Sequence, residues 1–160
     1  MSGASKRVRQ TGSLPDVART LALVDDLRKL SAETFVVEFK VDNAEPAMIG
    51  RTASALSNSA RLAEKDFGYI LWGIRDGDHE VVGTTFDPQA AKAQKHPLQF
   101  WLEQRLKPHV ALRFKEVDHP NGRVVLLEIP AATESPVEFD GTAYIRIVSA
   151  TPKLQTIRTG

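Results

Sequence analysis

Cysteine is absent from the 160-residue sequence. A disulfide framework, a thiolate nucleophile and a cysteine-ligated zinc site are therefore excluded. Long apolar runs are also missing, because the longest run, at residues 69–74, is far short of the roughly 20 residues that cross a bilayer. The basic residues near the N-terminus lead into no apolar signal segment. We therefore expect a soluble, cytoplasmic protein with no membrane partner.

The sequence also lacks the glycine-rich loop, Gly-x-x-x-x-Gly-Lys-Ser/Thr, that holds nucleotide phosphates. Gly73 and Gly77 do not lead into a predicted helix whose N-terminus could bind phosphate. The four histidines lie in no recognisable context for a serine nucleophile. These absences argue against an ATP-binding protein and against a Ser-His-Asp hydrolase.

Charge is nearly balanced overall, with 21 basic and 20 acidic residues, so net charge alone does not indicate a nucleic-acid partner. The distribution is uneven, because the segment 89–115 contains a single acid, Glu103, and a series of basic residues. These are Lys92, Lys95, Arg105, Lys107, Arg113 and Lys115. The segment fits a solvated helix surface as well as a phosphate-binding surface.

An apolar content of 42% is enough for one hydrophobic core. Residues 1–13 are small, polar and basic, so we expect a disordered tail before a single domain over 14–160. The apolar spacing predicts helices at 15–30, 46–58, 88–93 and 97–106. Strands are predicted at 35–40, 68–74, 79–86, 110–117, 124–129 and 143–148. The pattern therefore predicts an α+β (mixed α/β) domain with a mixed, mainly antiparallel sheet and helices packed on it.

Three segments, in this order and spacing, resemble the Schlafen AlbA-like family: ETFVVEFK at 33–40, ALSNS at 55–59 and GYILWGIRD at 68–76. The resemblance continues through 79–84 and 136–146, and it implies a DNA-binding module of a longer regulatory protein. The chain departs from the family pattern twice. A charged segment at 60–67 replaces a short Gly-Gly turn and lengthens the helix before it. The sequence RIVS at 146–149 lacks a glycine that could bring the backbone close to a ligand.

The resemblance and the basic segment together predict a nucleic-acid-binding domain that holds phosphates and reads little sequence. The predicted contacts are Lys40, Arg75, Lys92, Lys95, Arg105, Lys107 and Arg146. We expect several aromatic residues in the core because they occupy helix and strand positions, namely Trp72, Trp101, Tyr69 and the phenylalanines. The sequence does not distinguish DNA from RNA, and a homo-oligomer is compatible with it.

The resemblance also implies an alternative, a divalent-metal-dependent endoribonuclease, because some Schlafen relatives cut RNA with three carboxylates. The matching catalytic and metal-binding positions are Glu33, Glu38 and Asp76, which suit Mg²⁺ or Mn²⁺. No other cofactor is indicated. Five residues are an odd step along a strand, so Glu33 and Glu38 converge only if the chain bends near Thr34. Otherwise Glu38 pairs with a neighbouring cation and Asp76 serves the turn.

Asn58, at the end of a helix with a stripe of small residues, has two interpretations. Its side chain either binds backbone groups or faces the predicted carboxylates. The sequence leaves both open.

Overall fold

The computed structural model describes residues 12–30 and 36–146. This part of the chain contains the helices α1 (Leu14–Arg28), α2 (Pro46–Leu62) and α3 (Leu98–Arg105). Its strands are β1 (Val37–Lys40), β2 (Phe67–Trp72), β3 (Lys92–Ala93), β4 (His96–Pro97), β5 (Leu106–Lys107), β6 (Arg113–His119), β7 (Gly122–Pro130), β8 (Glu138–Phe139) and β9 (Thr142–Ala143). The disordered tail predicted at 1–13 lies almost entirely outside the described residues, so it stays a prediction.

The central sheet has four strands in the order β1-β2-β7-β6. β1 runs parallel to β2, with Val37 opposite Tyr69, and the other neighbours are antiparallel. The inner strands, β2 and β7, are the most apolar, and they are buried because helices lie on both sides of them. The predicted fold class, a mixed and mainly antiparallel sheet that contains the apolar strand near 68–74, is confirmed.

Helices cover both faces of this sheet. On one face, α2 and α3 bury Leu56, Trp101 and Leu102 against sheet residues that include Ile70, Trp72 and Leu127. On the other face, α1 buries Val17, Val24 and Leu27 against Leu71, Val124 and Leu126. The small strands lie beside the central sheet, as the hairpin β3-β4 and the three-stranded sheet β5-β8-β9. No helix within 12–30 or 36–146 has the length and apolar content needed to cross a bilayer.

Local sequence explains where the two long helices begin. The Ser13 side chain accepts a hydrogen bond from the Asp16 N–H, and the Asp16 carboxylate accepts one from the Ser13 N–H, which is a capping box. Pro46 opens α2, and the Glu45 carboxylate accepts two N–H groups of its first turn. α2 continues past the predicted end at 58 to Leu62, along the charged segment that lengthens it.

The strand predicted at 79–86 is wrong. Within the described chain, a single bridge between Ile74 and Val81 is the strand-like pairing found in this segment. The Asp42 carboxylate accepts hydrogen bonds from the Thr84 hydroxyl at 2.6 Å and the Thr85 N–H at 3.0 Å. Because a side chain takes a backbone donor here, residues 79–86 form an irregular loop despite their alternating pattern.

The helix predicted at 88–93 is also wrong. The Asp87 carboxylate accepts the N–H groups of Gln89 and Ala90, which makes a turn, and β3 follows at once. A strand is also predicted at 143–148. The observed strand β9 ends at Ala143, so it overlaps the prediction at that residue alone. Residues 147 and 148 lie outside the described part of the chain.

Candidate nucleic-acid interface

Residues 92–97 of the basic segment form a β-hairpin with a two-residue turn, and this hairpin presents cations to solvent. Lys92 lies opposite Pro97 and Ala93 opposite His96, and the connecting residues Gln94 and Lys95 have φ values of +51° and +71°. Two consecutive positive φ values are typical of the mirror-image turn that joins short antiparallel strands. Ala93 is buried, whereas Lys92, Lys95 and His96 are exposed. The hairpin therefore separates a buried anchor from a charged outer side.

The side-chain amide of Gln94 connects the hairpin turn to α3 through hydrogen bonds. Gln94 Oε1 accepts hydrogen bonds from Trp101 Nε1 at 3.2 Å and from Arg105 Nη2 at 3.3 Å. The Arg105 guanidinium also lies 4.3 Å from the centre of the Trp101 ring, a cation–π contact. Because the buried side of α3 holds this arrangement, the cations of the hairpin have a rigid base.

An aromatic side chain that sequence reasoning assigned to the core lies beside this hairpin. Phe100 is 49% exposed, and its ring centre is 5.8 Å from that of His96. The expected burial is therefore wrong for Phe100. A signal was present in the sequence, because Phe100 points away from the helix side that carries Leu98, Trp101 and Leu102. We call Lys92, Lys95, His96, Phe100 and Arg105 the basic hairpin patch.

Two acids near this patch differ in their partners. The Glu103 carboxylate accepts hydrogen bonds from the Leu112 N–H at 3.1 Å and from Gln99 Nε2 at 3.2 Å. Asp140 lies 3.7 Å from Arg105, at the edge of the patch. Lys107 follows in β5, exposed and opposite Glu138 in the pairing with β8. The outer side of the hairpin thus carries a local excess of positive charge at Lys92 and Lys95.

The other predicted cations lie elsewhere and are paired with acids. Lys40 Nζ is 3.1 Å from Glu38 Oε2, and Arg146 Nη1 contacts Glu38 Oε1. Arg146 is only 6% exposed, so this is a largely buried ion pair. Arg75 forms an exposed ion pair with Asp78 at 2.8 Å. Hydrogen bonds from Arg75 hold the pKa of Asp78 below its usual value, and the same contact raises the pKa of Arg75.

Two of the three predicted carboxylates can be placed. Glu38 lies in β1 opposite Ile70, whereas Asp76 lies in the exposed turn beyond the end of β2. Glu33 lies outside the described residues. Within 12–30 and 36–146, no three acidic or histidine side chains are grouped as metal ligands would be. Because a cation contacts each Glu38 oxygen, Glu38 in this arrangement is poorly suited to a divalent ion. The complete three-carboxylate site stays a prediction.

Asp76 offers a way to test chemistry at that predicted site without disturbing the fold. Because Asp76 is exposed in a turn, the Asp76→Asn variant is expected to unfold at the same urea concentration as the unaltered protein. Any Mn²⁺-dependent cleavage of structured RNA that this variant loses would then be a loss of chemistry. Cleavage at an unchanged rate would remove Asp76 from the metal-binding hypothesis.

The small polar residues of α2 bind the C-terminal segment of the described chain. Asn58 Nδ2 donates to the carbonyl oxygens of Val137 at 3.0 Å and Tyr144 at 2.8 Å, and Asn58 Oδ1 accepts the Val137 N–H at 2.7 Å. The hydroxyls of Ser54 and Ser59 accept the N–H groups of Tyr144 and Arg146. Of the two interpretations of Asn58, binding of backbone groups is the one that the structure shows.

Comparison with known proteins identifies the family. A family model described as "Schlafen, AlbA_2" matches residues 33–155, which is most of the chain. The chain belongs to the Schlafen AlbA_2 family. This confirms the resemblance of the sequence segments, and membership in this family fits a domain whose function concerns nucleic acid. A search of curated proteins finds no match.

Two solved structures are similar to this chain at low sequence identity, and the first shows the same fold. The DIP2311 protein from Corynebacterium diphtheriae is 17% identical with a TM-score of 0.50. The match covers 88% of this chain and 27% of that chain, so this chain spans about a quarter of its length. The N-terminal domain of a RecG-related protein from Nitrosomonas europaea, whose name relates it to ATP-dependent DNA helicases, is 20% identical with a TM-score of 0.46. That match covers 88% of this chain and 95% of that domain.

One glycine in the segments that resemble the family, Gly73, has a structural role. Gly73, at the end of β2, has a φ of +96°, and a Cβ at this position would lie 2.6 Å from the carbonyl oxygen of Arg123. Its N–H donates to the Lys40 carbonyl, and its own carbonyl accepts from Val82 and Gly83. Only glycine fits this close approach, so Gly73 allows the backbone segments to pack closely where β2 ends.

Proposed function

We propose that this Schlafen AlbA_2 domain binds DNA or RNA by holding backbone phosphates on the basic hairpin patch. The observation that carries this proposal is the exposed hairpin, on which Lys92 and Lys95 accompany His96, whose ring contacts the exposed ring of Phe100. Lysine side chains neutralise phosphates and release the counterions that surround nucleic acid, which favours association. Family membership supports the same function.

The predicted cations contribute unequally in this proposal. Lys92 and Lys95 are exposed on the hairpin, and Arg105 and Lys107 extend the same basic run along α3 and β5. Lys40, Arg75, Arg105 and Arg146 each contact an acid, so a phosphate would have to compete with Glu38, Asp78 or Asp140 for them. We therefore propose the hairpin lysines as the main phosphate contacts.

We further propose that the domain works in the cytoplasm as one module of a longer regulatory protein. A surface that binds phosphates suits a module that supplies affinity for nucleic acid while other domains supply selectivity. Because phosphate contacts carry no sequence information, we expect weak dependence on base sequence.

The double variant Lys92→Gln/Lys95→Gln tests this proposal. We expect its affinity for single-stranded DNA to fall roughly tenfold, because two phosphate contacts are lost. The slope of log affinity against log salt concentration is expected to decrease in magnitude by about 1.4. Fluorescence anisotropy titrations with a labelled oligonucleotide at several salt concentrations measure both quantities.

A charge-matched control separates a specific surface from general charge. Lys29 and Lys65 are exposed, and they lie at the end of α1 and between α2 and β2, away from the hairpin. The variant Lys29→Gln/Lys65→Gln removes the same charge, and its affinity is expected to stay close to that of the unaltered protein. Equal losses in the two double variants, or no loss in either, would contradict a binding surface at the hairpin.

A further inference from the structure

We infer that Phe100 is a stacking platform for one unpaired base, so that the basic hairpin patch takes single strands in preference to duplexes. This inference rests on the proposed function and specifies its ligand class. Aromatic rings bind bases of any sequence, because every base has a π-face, and cations beside the ring hold the adjoining phosphates. A paired base has its faces stacked inside the duplex and cannot reach such a ring.

The exposure of Phe100 is the first supporting observation. The large apolar side chains that are exposed in the described part of the chain are Leu14, Leu30, Val41, Leu62, Val82 and Phe100. Phe100 is the one aromatic residue among them, and half of its surface is open to solvent. It lies outside both hydrophobic clusters of the core, so the fold does not account for an aromatic residue at this position.

The second observation is the rigid setting of the ring. Leu98, Trp101 and Leu102 anchor α3 in the core, and the His96 ring contacts Phe100 from the neighbouring strand at 5.8 Å. This distance lies within the range of ordinary aromatic pairs, so His96 orients the ring and leaves its outer side open. Because the ring is already held in place, stacking of a base on it costs the protein little conformational entropy.

The charge of the neighbouring hairpin is the third observation. Lys92 and Lys95 stand on the same hairpin as His96. A second pair of partly exposed rings, Phe67 and Tyr69, lies 6.3 Å apart at the other side of the sheet. There, burial and the carboxylates of Glu128 and Asp66 raise the pKa of Tyr69, and such acids repel phosphates. Charge complementarity therefore favours Phe100.

Three ligands distinguish stacking from charge: a labelled oligothymidylate, an abasic oligomer with the same number of phosphates, and a DNA duplex. Phe100→Ala is expected to bind oligothymidylate roughly 5- to 150-fold more weakly, which corresponds to the loss of one stacked base. Its affinities for the abasic oligomer and for the duplex are expected to be unchanged. Phe100→Trp should retain binding, because tryptophan keeps the aromatic face.

Leu62→Ala is the matched control, because Leu62 is 69% exposed and lies at the end of α2. It should not alter affinity for any of the three ligands, and circular dichroism checks that each variant is folded.

The inference is overturned if Phe100→Ala binds oligothymidylate normally, or if it loses affinity equally for the abasic oligomer. It is also overturned if the unaltered protein prefers the duplex. In these cases, loss of binding in Lys92→Gln/Lys95→Gln would leave the proposed function standing. If the unaltered protein binds none of these ligands and also no RNA oligomer of the same length, both proposals are wrong.

Discussion

Replacing Asn58 by alanine is expected to lower the free energy of unfolding by about 3 kcal/mol, because each buried polar group left unpaired costs about 1–3 kcal/mol. The substitution removes three hydrogen bonds at once. The Val137 N–H and the Tyr144 carbonyl lose their Asn58 partner, whereas the Val137 carbonyl keeps the hydroxyl of Ser54. Urea unfolding followed by circular dichroism measures the loss.

A second variant at this position tests the donor role of the amide. Asn58→Asp has nearly the same shape, but its carboxylate would face the carbonyl oxygens of Val137 and Tyr144. We expect it to be at least as destabilising as Asn58→Ala. Asn121→Ala, in the exposed turn between β6 and β7, is the control and should unfold as the unaltered protein does. A loss at Asn58 no larger than that of the control would show that α2 does not hold the C-terminal segment.

The ion pair between Glu38 and Arg146 is the second site where a large effect is expected. Glu38→Ala leaves the Arg146 guanidinium, which is 6% exposed, beside the like charge of Lys40. Breaking a fully buried pair costs about 3–5 kcal/mol, and because Glu38 is partly exposed we expect about 2–3 kcal/mol. The measured quantity is again the free energy of unfolding in urea.

A double-mutant cycle separates the ion pair from other effects of each substitution. In the cycle of Glu38→Gln and Arg146→Met, the double variant should be clearly more stable than the sum of the single losses implies. The exposed pair Arg75–Asp78 provides the matched cycle, and its coupling should lie within experimental error. A Glu38–Arg146 coupling as small as that of the exposed pair would contradict a structural role for this contact.

The expected cost at Glu38 bears on the ribonuclease hypothesis. A Glu38 variant that fails to cut RNA could simply be less folded, because the same carboxylate holds Arg146 near α2. Asp76 is exposed in its turn, so substitution there separates chemistry from stability. The hypothesis is therefore tested more sharply at Asp76 than at Glu38.

The errors in predicting the elements have a common cause. The loop at 79–86 alternates polar and apolar residues as a strand does, yet the distant Asp42 carboxylate binds its Thr84 hydroxyl and Thr85 N–H. The turn at Asp87 likewise depends on one side chain that accepts two backbone N–H groups. Hydrophobic periodicity carries no information about such side-chain contacts, so it predicts regular structure where the chain is irregular.

The sequence alone determined the family and the basic segment near residue 92. It also determined four elements of the fold, which are α1, α2 and the apolar strands β2 and β7. These features follow from local spacing, capping residues and composition, which neighbouring residues specify together. Only the tertiary structure decided that Asn58 binds backbone 79 and 86 residues away, that Arg146 is buried on Glu38, and that Phe100 stands exposed beside His96 of the hairpin. The physical reason is that each of these depends on which residues, distant along the chain, meet when the helices pack on the sheet.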